Sequence, residues 1–96
     1  MPRGPGVIAL RLYSRPGCHL CEDMKAVVER VARTGDVRAT VEEIDISTSR
    51  ELEARYGLEI PVLEADGRKI AKYRITESEL RKALEARAGG SSAASG

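Results

Sequence analysis

The sequence predicts an α/β domain of element order βαβαββα, a four-stranded mixed sheet flanked by helices. Three observations carry that expectation. An apolar run at 7–13 is followed by a long helical periodicity at 18–33, and a second strand-then-helix pattern follows at 38–57. The dipeptide Asp66-Gly67 then joins two short apolar stretches, the signature of a tight hairpin. Strands alternating with helices point to parallel pairing, and the hairpin adds an antiparallel pair.

Met1-Pro2-Arg3-Gly4-Pro5-Gly6 reads as a flexible leader ahead of a domain spanning 7–87. Val7 to Tyr13 is apolar nearly throughout, as expected of a strand covered on both faces. Ser14-Arg15-Pro16-Gly17 breaks it. From Cys18 to about Arg33, Leu20, Met24, Val27, Val28 and Val31 recur at helical spacing. Glu22 and Asp23 stand in the first turn, where the helix dipole favours negative charge. Thr34-Gly35-Asp36 is the expected stop.

Residues 38–46 alternate imperfectly around Val41, Ile44 and Ile46, a second strand. Thr48 followed by Glu51 matches a capping box, and Leu52 and Tyr56 form an i, i+4 pair before Gly57. Ile60-Pro61-Val62-Leu63 opens a third strand, and residues 68–73 form the fourth. A second capping box, Thr76 with Glu79, starts a last helix that turns Leu80, Ala83 and Leu84 inward. The Gly/Ser/Ala tail, 88–96, has nothing to bury and is expected to be disordered. A right-handed crossover makes the first two strands parallel neighbours.

Ninety-six residues suffice for one modest core. A net charge of +1 creates no field for nucleic acid or an anionic membrane, and 3% aromatics, without Phe or Trp, offer little for base stacking. No segment approaches the roughly 20 apolar residues that span a bilayer. The opening residues are too short and too polar for a signal peptide, so the expected location is cytoplasmic. Neither a nucleic-acid nor a membrane partner is expected, and the chain is expected to be a monomer.

Cys18 and Cys21 are the only cysteines, three positions apart in Cys18-His19-Leu20-Cys21. In a reducing compartment such a pair is more often catalytic, redox-active or metal-binding than structural. The element order puts it at the carboxyl end of the first strand and the N-terminus of the first helix, where α/β sheets place their chemistry. Zinc is one alternative, because Cys18, His19 and Cys21 are ligand types. His19 is the only histidine, however, and a closed structural site takes a fourth ligand.

The element order, together with Tyr13-Ser14-Arg15-Pro16-Gly17-Cys18-His19-Leu20-Cys21, resembles the glutaredoxin-like branch of the thioredoxin-fold superfamily over roughly residues 7–87. The resemblance implies a thioredoxin-like fold and a thiol–disulfide oxidoreductase in which Cys18 is the nucleophile and Cys21 resolves the mixed disulfide. It implies that Arg15, three residues before the nucleophile, contacts glutathione. It also implies that Pro61 is a cis-proline, with the Ile60 backbone pairing with a thiol substrate. His19 and Leu20 complete the expected substrate-binding set. No tightly bound cofactor is implied; glutathione is a possible co-substrate, and the expected partner is a disulfide-containing protein or a glutathione mixed disulfide. Two departures stand out. His19-Leu20 replaces the family's common Pro-Tyr, and Ala71-Lys72-Tyr73-Arg74 stand where a Gly-Gly pair followed by Asp usually holds glutathione. A non-enzymatic redox-sensing or binding module is the alternative.

The thiolate is the attacking species, and unpaired N–H groups at a helix start lower a cysteine's pKa, so Cys18 is expected below the free-thiol value. Cys21, one turn in, is expected to be more buried. His19 either tunes the thiolate or is an exposed spacer. Arg68, Lys69, Lys72 and Arg74 read first as protection of a sheet edge. Tyr13, Tyr73 and Met24 read as packing residues.

Overall fold

The structure, a computed structural model, describes residues 7–35 and 37–88. The expected leader, Asp36 of the expected helix stop, and the tail from residue 89 lie outside the described residues. Strand β1 spans Val7–Ser14, helix α1 His19–Thr34, β2 Arg38–Asp45, α2 Arg50–Tyr56, β3 Val62–Ala65, β4 Arg68–Lys72 and α3 Glu77–Ala88. A single 3₁₀ turn, Ile46–Thr48, separates β2 from α2.

The sheet order is β2-β1-β3-β4. β1 and β2 run parallel in the register Val7↔Arg38 to Ser14↔Asp45, as the α1 crossover requires. β3 lies antiparallel to β1 from Leu10↔Ala65 to Tyr13↔Val62, and β4 antiparallel to β3 with a bulge at Leu63/Glu64. Asp66 and Gly67 both take positive φ, 50° and 85°, the primed turn that matches strand twist.

Period-two alternation splits the apolar residues between two faces. Ile8, Leu10 and Leu12 of β1 and Leu63 and Ala65 of β3 meet Met24, Val28 and Val31 of α1 and Leu80 and Leu84 of α3, all of them buried. On the opposite face Tyr13 and Val62 meet Ile46 and Tyr56, with Ile44, Leu52 and Ile60 packed around them. One position thus separates Leu12 from Tyr13 in sequence, and the whole thickness of the sheet separates their side chains. Each fully buried Leu or Ile contributes about 1.5–3 kcal/mol.

Three local expectations are corrected. The cap of α2 is Ser49, whose Oγ accepts from the Leu52 N–H at 3.3 Å, not Thr48. Asp45 Oδ1 accepts from the Ser47 N–H, and Thr48 Oγ1 donates to the Asp45 carbonyl. Together they wind an extra 3₁₀ turn that delays the helix by one residue. Ile46 accordingly lies in that turn rather than in β2, yet remains fully buried. Tyr73 falls outside β4 with φ 72° and is 42% exposed, so it is not a packing residue; its hydroxyl donates to the Leu58 carbonyl at 3.0 Å. The second capping box forms as expected. Glu79 N–H donates to Thr76 Oγ1, and Thr76 N–H donates to Glu79 Oε1, both at 3.0 Å.

Candidate active site

The segment between β1 and α1 builds the site. Arg15-Pro16-Gly17-Cys18 is a β-turn closed by the Cys18 N–H on the Arg15 carbonyl at 3.3 Å. Proline presets φ at the second position, and Gly17 supplies the positive φ of 79° that a type II turn demands at the third. The turn delivers Cys18 as the N-cap of α1 in extended conformation (φ −95°, ψ 110°), and its carbonyl accepts the first helical bond from Glu22 at 3.1 Å. Cys18 Sγ itself accepts from the Cys21 N–H at 3.1 Å, so a sulfur performs the capping usually done by a side-chain oxygen.

Cys18 and Cys21 are joined as a disulfide with a Cα–Cα separation of 5.2 Å. Cys18 is half-buried, whereas Cys21 is 2% exposed on the inward face of α1 with Met24 and Val28. His19 is exposed and Leu20 half-buried. The Ile60–Pro61 peptide bond is cis. Because Tyr13 pairs with Val62, the antiparallel register brings Pro61 to the level of Ser14, at the end of β1 from which the dithiol segment departs. Ile60 is half-buried against the Tyr13/Tyr56 cluster. The structure therefore gathers Arg15, Cys18, Cys21, Ile60 and Pro61 at one end of the sheet.

Arg15 is not a free cation. Its Nη2 meets Glu53 Oε1 at 2.6 Å and its Nε meets Oε2 at 3.3 Å, a two-point pairing with α2. Its charge also reaches Asp45, whose carboxyl is held below the usual range mainly by hydrogen bonds from Ser47 and further by Arg15. On the other side of Cys21, Ser14 Oγ donates to Glu43 Oε2 at 2.9 Å, and Lys25 Nζ meets Glu43 Oε1 at 3.1 Å. Hydrogen bonding to Glu43 and the charge of that carboxylate raise the Lys25 amine above its ordinary value. Arg15, Ser14, Cys21, Lys25, Glu43 and Asp45 line an open cleft of about 330 Å³ beside the disulfide.

Below Pro61, the Tyr13 and Tyr56 rings stack with centroids 4.1 Å apart. Both hydroxyls donate to Glu64, at 3.3 and 3.0 Å. Burial first, then hydrogen bonds with Tyr13 and Glu64, push the Tyr56 phenol up to about 12. The cations of β4 lie at the far edge of the sheet, where Lys69 meets Glu59 at 2.6 Å and Lys72 meets it at 4.0 Å.

Sequence reasoning missed Glu53, Glu43 and Glu64. Each is a carboxylate on a different element from its partner, 38, 29 and 51 residues away from Arg15, Ser14 and Tyr13 respectively. No local pattern announces such pairs. Ser49 could have been found, because it precedes Arg50-Glu51-Leu52 as plausibly as Thr48 precedes Glu51.

Comparison with known proteins supplies the kinship. The family described as Glutaredoxin-like domain (DUF836) matches residues 9–85. The chain is 33% identical over 82 residues, 81% of its length and 76% of the relative's, to a protein of Dictyostelium discoideum described as Glutaredoxin-like protein YDR286C homolog. Among solved structures it is similar to a structural-genomics target protein from X. campestris, with TM-score 0.66 and 33% identity over 80% of this chain and 96% of that one. It is also similar to a mutant thioredoxin from Halobacterium salinarum, with TM-score 0.61 and 28% identity over 84% of this chain and 74% of that one.

Proposed function

This chain belongs to the glutaredoxin-like domain family and has the thioredoxin fold, and from that premise we propose that it is a thiol–disulfide oxidoreductase. One observation carries the reading. Cys18 is the half-buried N-cap of α1, bonded to a buried partner one helical turn along, at the sheet end where cis-Pro61 stands.

Starting from the reduced pair, the Cys18 thiolate attacks one sulfur of a substrate disulfide. The new S–S bond joins Cys18 to substrate, and the other substrate sulfur leaves as a thiolate that takes up a proton. Cys21 then loses its proton and attacks Cys18 Sγ. The Cys18–Cys21 bond forms, and the second substrate sulfur leaves. Two electrons have passed from the dithiol to the substrate, and an external thiol reductant restores the pair. A disulfide-bearing protein or a glutathione mixed disulfide is the substrate, with glutathione a possible co-substrate and no cofactor held between turnovers. A reducing cytoplasm is the setting that keeps such a pair poised, and the protein acts there as a monomer.

The asymmetry between the two sulfurs supports the assignment of roles. The accessible sulfur is the one a bulky substrate can reach. The buried one is reached only by the intramolecular step, for which a one-turn separation provides a high effective concentration. Ile60, just before the cis bond, would offer its backbone to the substrate strand, with Leu20 beside the attacked bond and His19 on the open side.

The test uses reduction of a model disulfide with excess dithiol as reductant. Cys18→Ser should fall to the uncatalysed background, and Cys21→Ser, pre-reduced and mixed with the disulfide after removal of the dithiol, should accumulate a covalent adduct on Cys18 visible by mass spectrometry. Wild-type turnover by the Cys18→Ser protein would sink the mechanism. Absence of turnover in the wild type, with the pair still cycling between thiol and disulfide, would favour a non-enzymatic redox-sensing or binding module.

A further inference from the structure

A guanidinium on the open lip of a cleft beside a reactive sulfur is a natural docking point for a carboxylate, because its planar fork offers two parallel N–H donors. Arg15 stands at such a place, closing the turn that holds Cys18 and lining the cleft with Cys21. One two-donor edge of that fork is already filled. Glu53 takes both Nε and Nη2 in the two-point geometry that an incoming carboxylate would use.

The occupation is built into the fold. Glu53 lies one turn before the end of α2, and the Gly57 N–H caps its carbonyl at 2.8 Å. A Cβ at residue 57 would lie 2.5 Å from the Glu53 carbonyl and 3.2 Å from its Oε1, so the bare glycine leaves Glu53 undisturbed at the end of α2. Asp45 adds a second carboxylate within reach of the Arg15 charge. Lys25, the other cation of the cleft, is likewise matched by Glu43 at 3.1 Å. Lys69 and Lys72 share Glu59 at the β4 edge, two strands away from β1.

We infer that Glu53 is a specificity-determining residue, an internal carboxylate that holds the Arg15 guanidinium and turns the site away from anionic, carboxylate-bearing thiol substrates toward disulfides that are neutral or cationic near the attacked bond. The inference deepens the oxidoreductase reading and rests on it for its role in catalysis, although the occupation of Arg15 is measurable without any turnover. A carboxylate ligand must displace Glu53 to use the Nε/Nη2 edge, and at the Nη1/Nη2 edge it meets the repulsion of the Glu53 carboxylate, 2.6 Å from Nη2. Side chains 40% and 38% exposed form a pair of modest strength, so the discrimination is modest as well, about fivefold at low ionic strength and smaller in salt.

The decisive experiment titrates the oxidised protein with S-methylglutathione, an anionic probe that cannot exchange thiols, and follows the Arg15 side-chain N–H signals by NMR. Wild type should bind weakly, Glu53→Gln about fivefold more tightly, and the Arg15→Gln/Glu53→Gln double variant no better than wild type. Equal affinity in wild type and Glu53→Gln, or tighter binding that survives loss of Arg15, would overturn the inference. So would the absence of any shift at Arg15 in the Glu53→Gln protein. Glu53→Asp, which keeps the charge but shortens the reach, serves as a second variant should the Gln protein be poorly folded, and it should bind between the two.

A kinetic arm measures adduct formation on reduced Cys21→Ser protein with glutathione disulfide, bis(2-hydroxyethyl) disulfide and cystamine. The rate with glutathione disulfide relative to the neutral reagent should rise about fivefold on Glu53→Gln. An unchanged ratio overturns the specificity role. Failure of all three reagents to react overturns the oxidoreductase reading instead, while the binding arm still decides whether Glu53 holds Arg15 against an anion.

Discussion

The backbone N–H of Cys21 donates to Cys18 Sγ at 3.1 Å, so the two cysteines are linked by a hydrogen bond as well as by a covalent one. The donor belongs to the first turn of α1, where N–H groups have no helical acceptor and carry the positive end of the helix dipole. In the reduced protein a thiolate at Cys18 would face that end of the helix, which favours the anion.

That relationship predicts a Cys18 thiol that ionises below the ordinary free-thiol value, with Glu22 in the first turn opposing the shift. A pH titration of thiolate absorbance in reduced Cys21→Ser protein checks it. A value at or above that of a free thiol would remove the basis for nucleophilic catalysis. Substituting His19, exposed beside the sulfur, tests whether the imidazole contributes to the same titration.

The Tyr56 hydroxyl, buried and bonded to Glu64, gives a pH dependence with a definite sign. Its folded pKa of about 12 lies above the unfolded value near 10, so the neutral phenol stabilises the folded state. That contribution is fully present below about pH 10 and is lost as pH rises towards about 12. Near-ultraviolet absorbance should show a tyrosine ionisation step raised towards about 12, and Tyr56→Phe should remove that step. A Tyr56→Phe protein with an unaltered titration curve would refute the assignment.

Thr76 Oγ1 and Glu79 Oε1 satisfy each other's backbone N–H groups at the start of α3, which carries Leu80 and Leu84 into the core. Thr76→Ala should cost about 0.5–2 kcal/mol in denaturant unfolding, with little change in the slope of the transition. Stability within error of wild type would mean that the box is ornamental to the helix.

Two leucines should respond very differently to the same substitution. Leu12 is fully buried between β1, α1 and α3, and Leu12→Ala is expected to cost about 2–5 kcal/mol. Leu58, 94% exposed in the loop before cis-Pro61, should change stability by less than about 0.5 kcal/mol on replacement by Ala. Comparable losses at both positions would contradict the burial described for them.

Much of the architecture was legible in short-range pattern. Apolar periodicity, the Asp66-Gly67 turn, the Thr76/Glu79 box and the Pro16-Gly17 break each depend on neighbours within a few residues, and each appears where the spacing predicts. Where two patterns compete locally the reading slips. The Asp45–Ser47 bond winds an unforeseen turn and moves the α2 cap from Thr48 to Ser49. Tyr73, read as a packing residue, is turned outward by a positive φ that its side chain gave no reason to expect.

By itself the sequence determined that a dithiol would sit where a strand ends and a helix begins, because backbone periodicity and capping are local physics. Only the tertiary structure decided what surrounds it. The partnership of Arg15 with Glu53, of Ser14 and Lys25 with Glu43, and of Tyr13 and Tyr56 with Glu64 depends on strands and helices far apart in the chain being brought together by the fold. Charge pairing is blind to sequence distance, so no spacing rule encodes it until the fold has set the geometry.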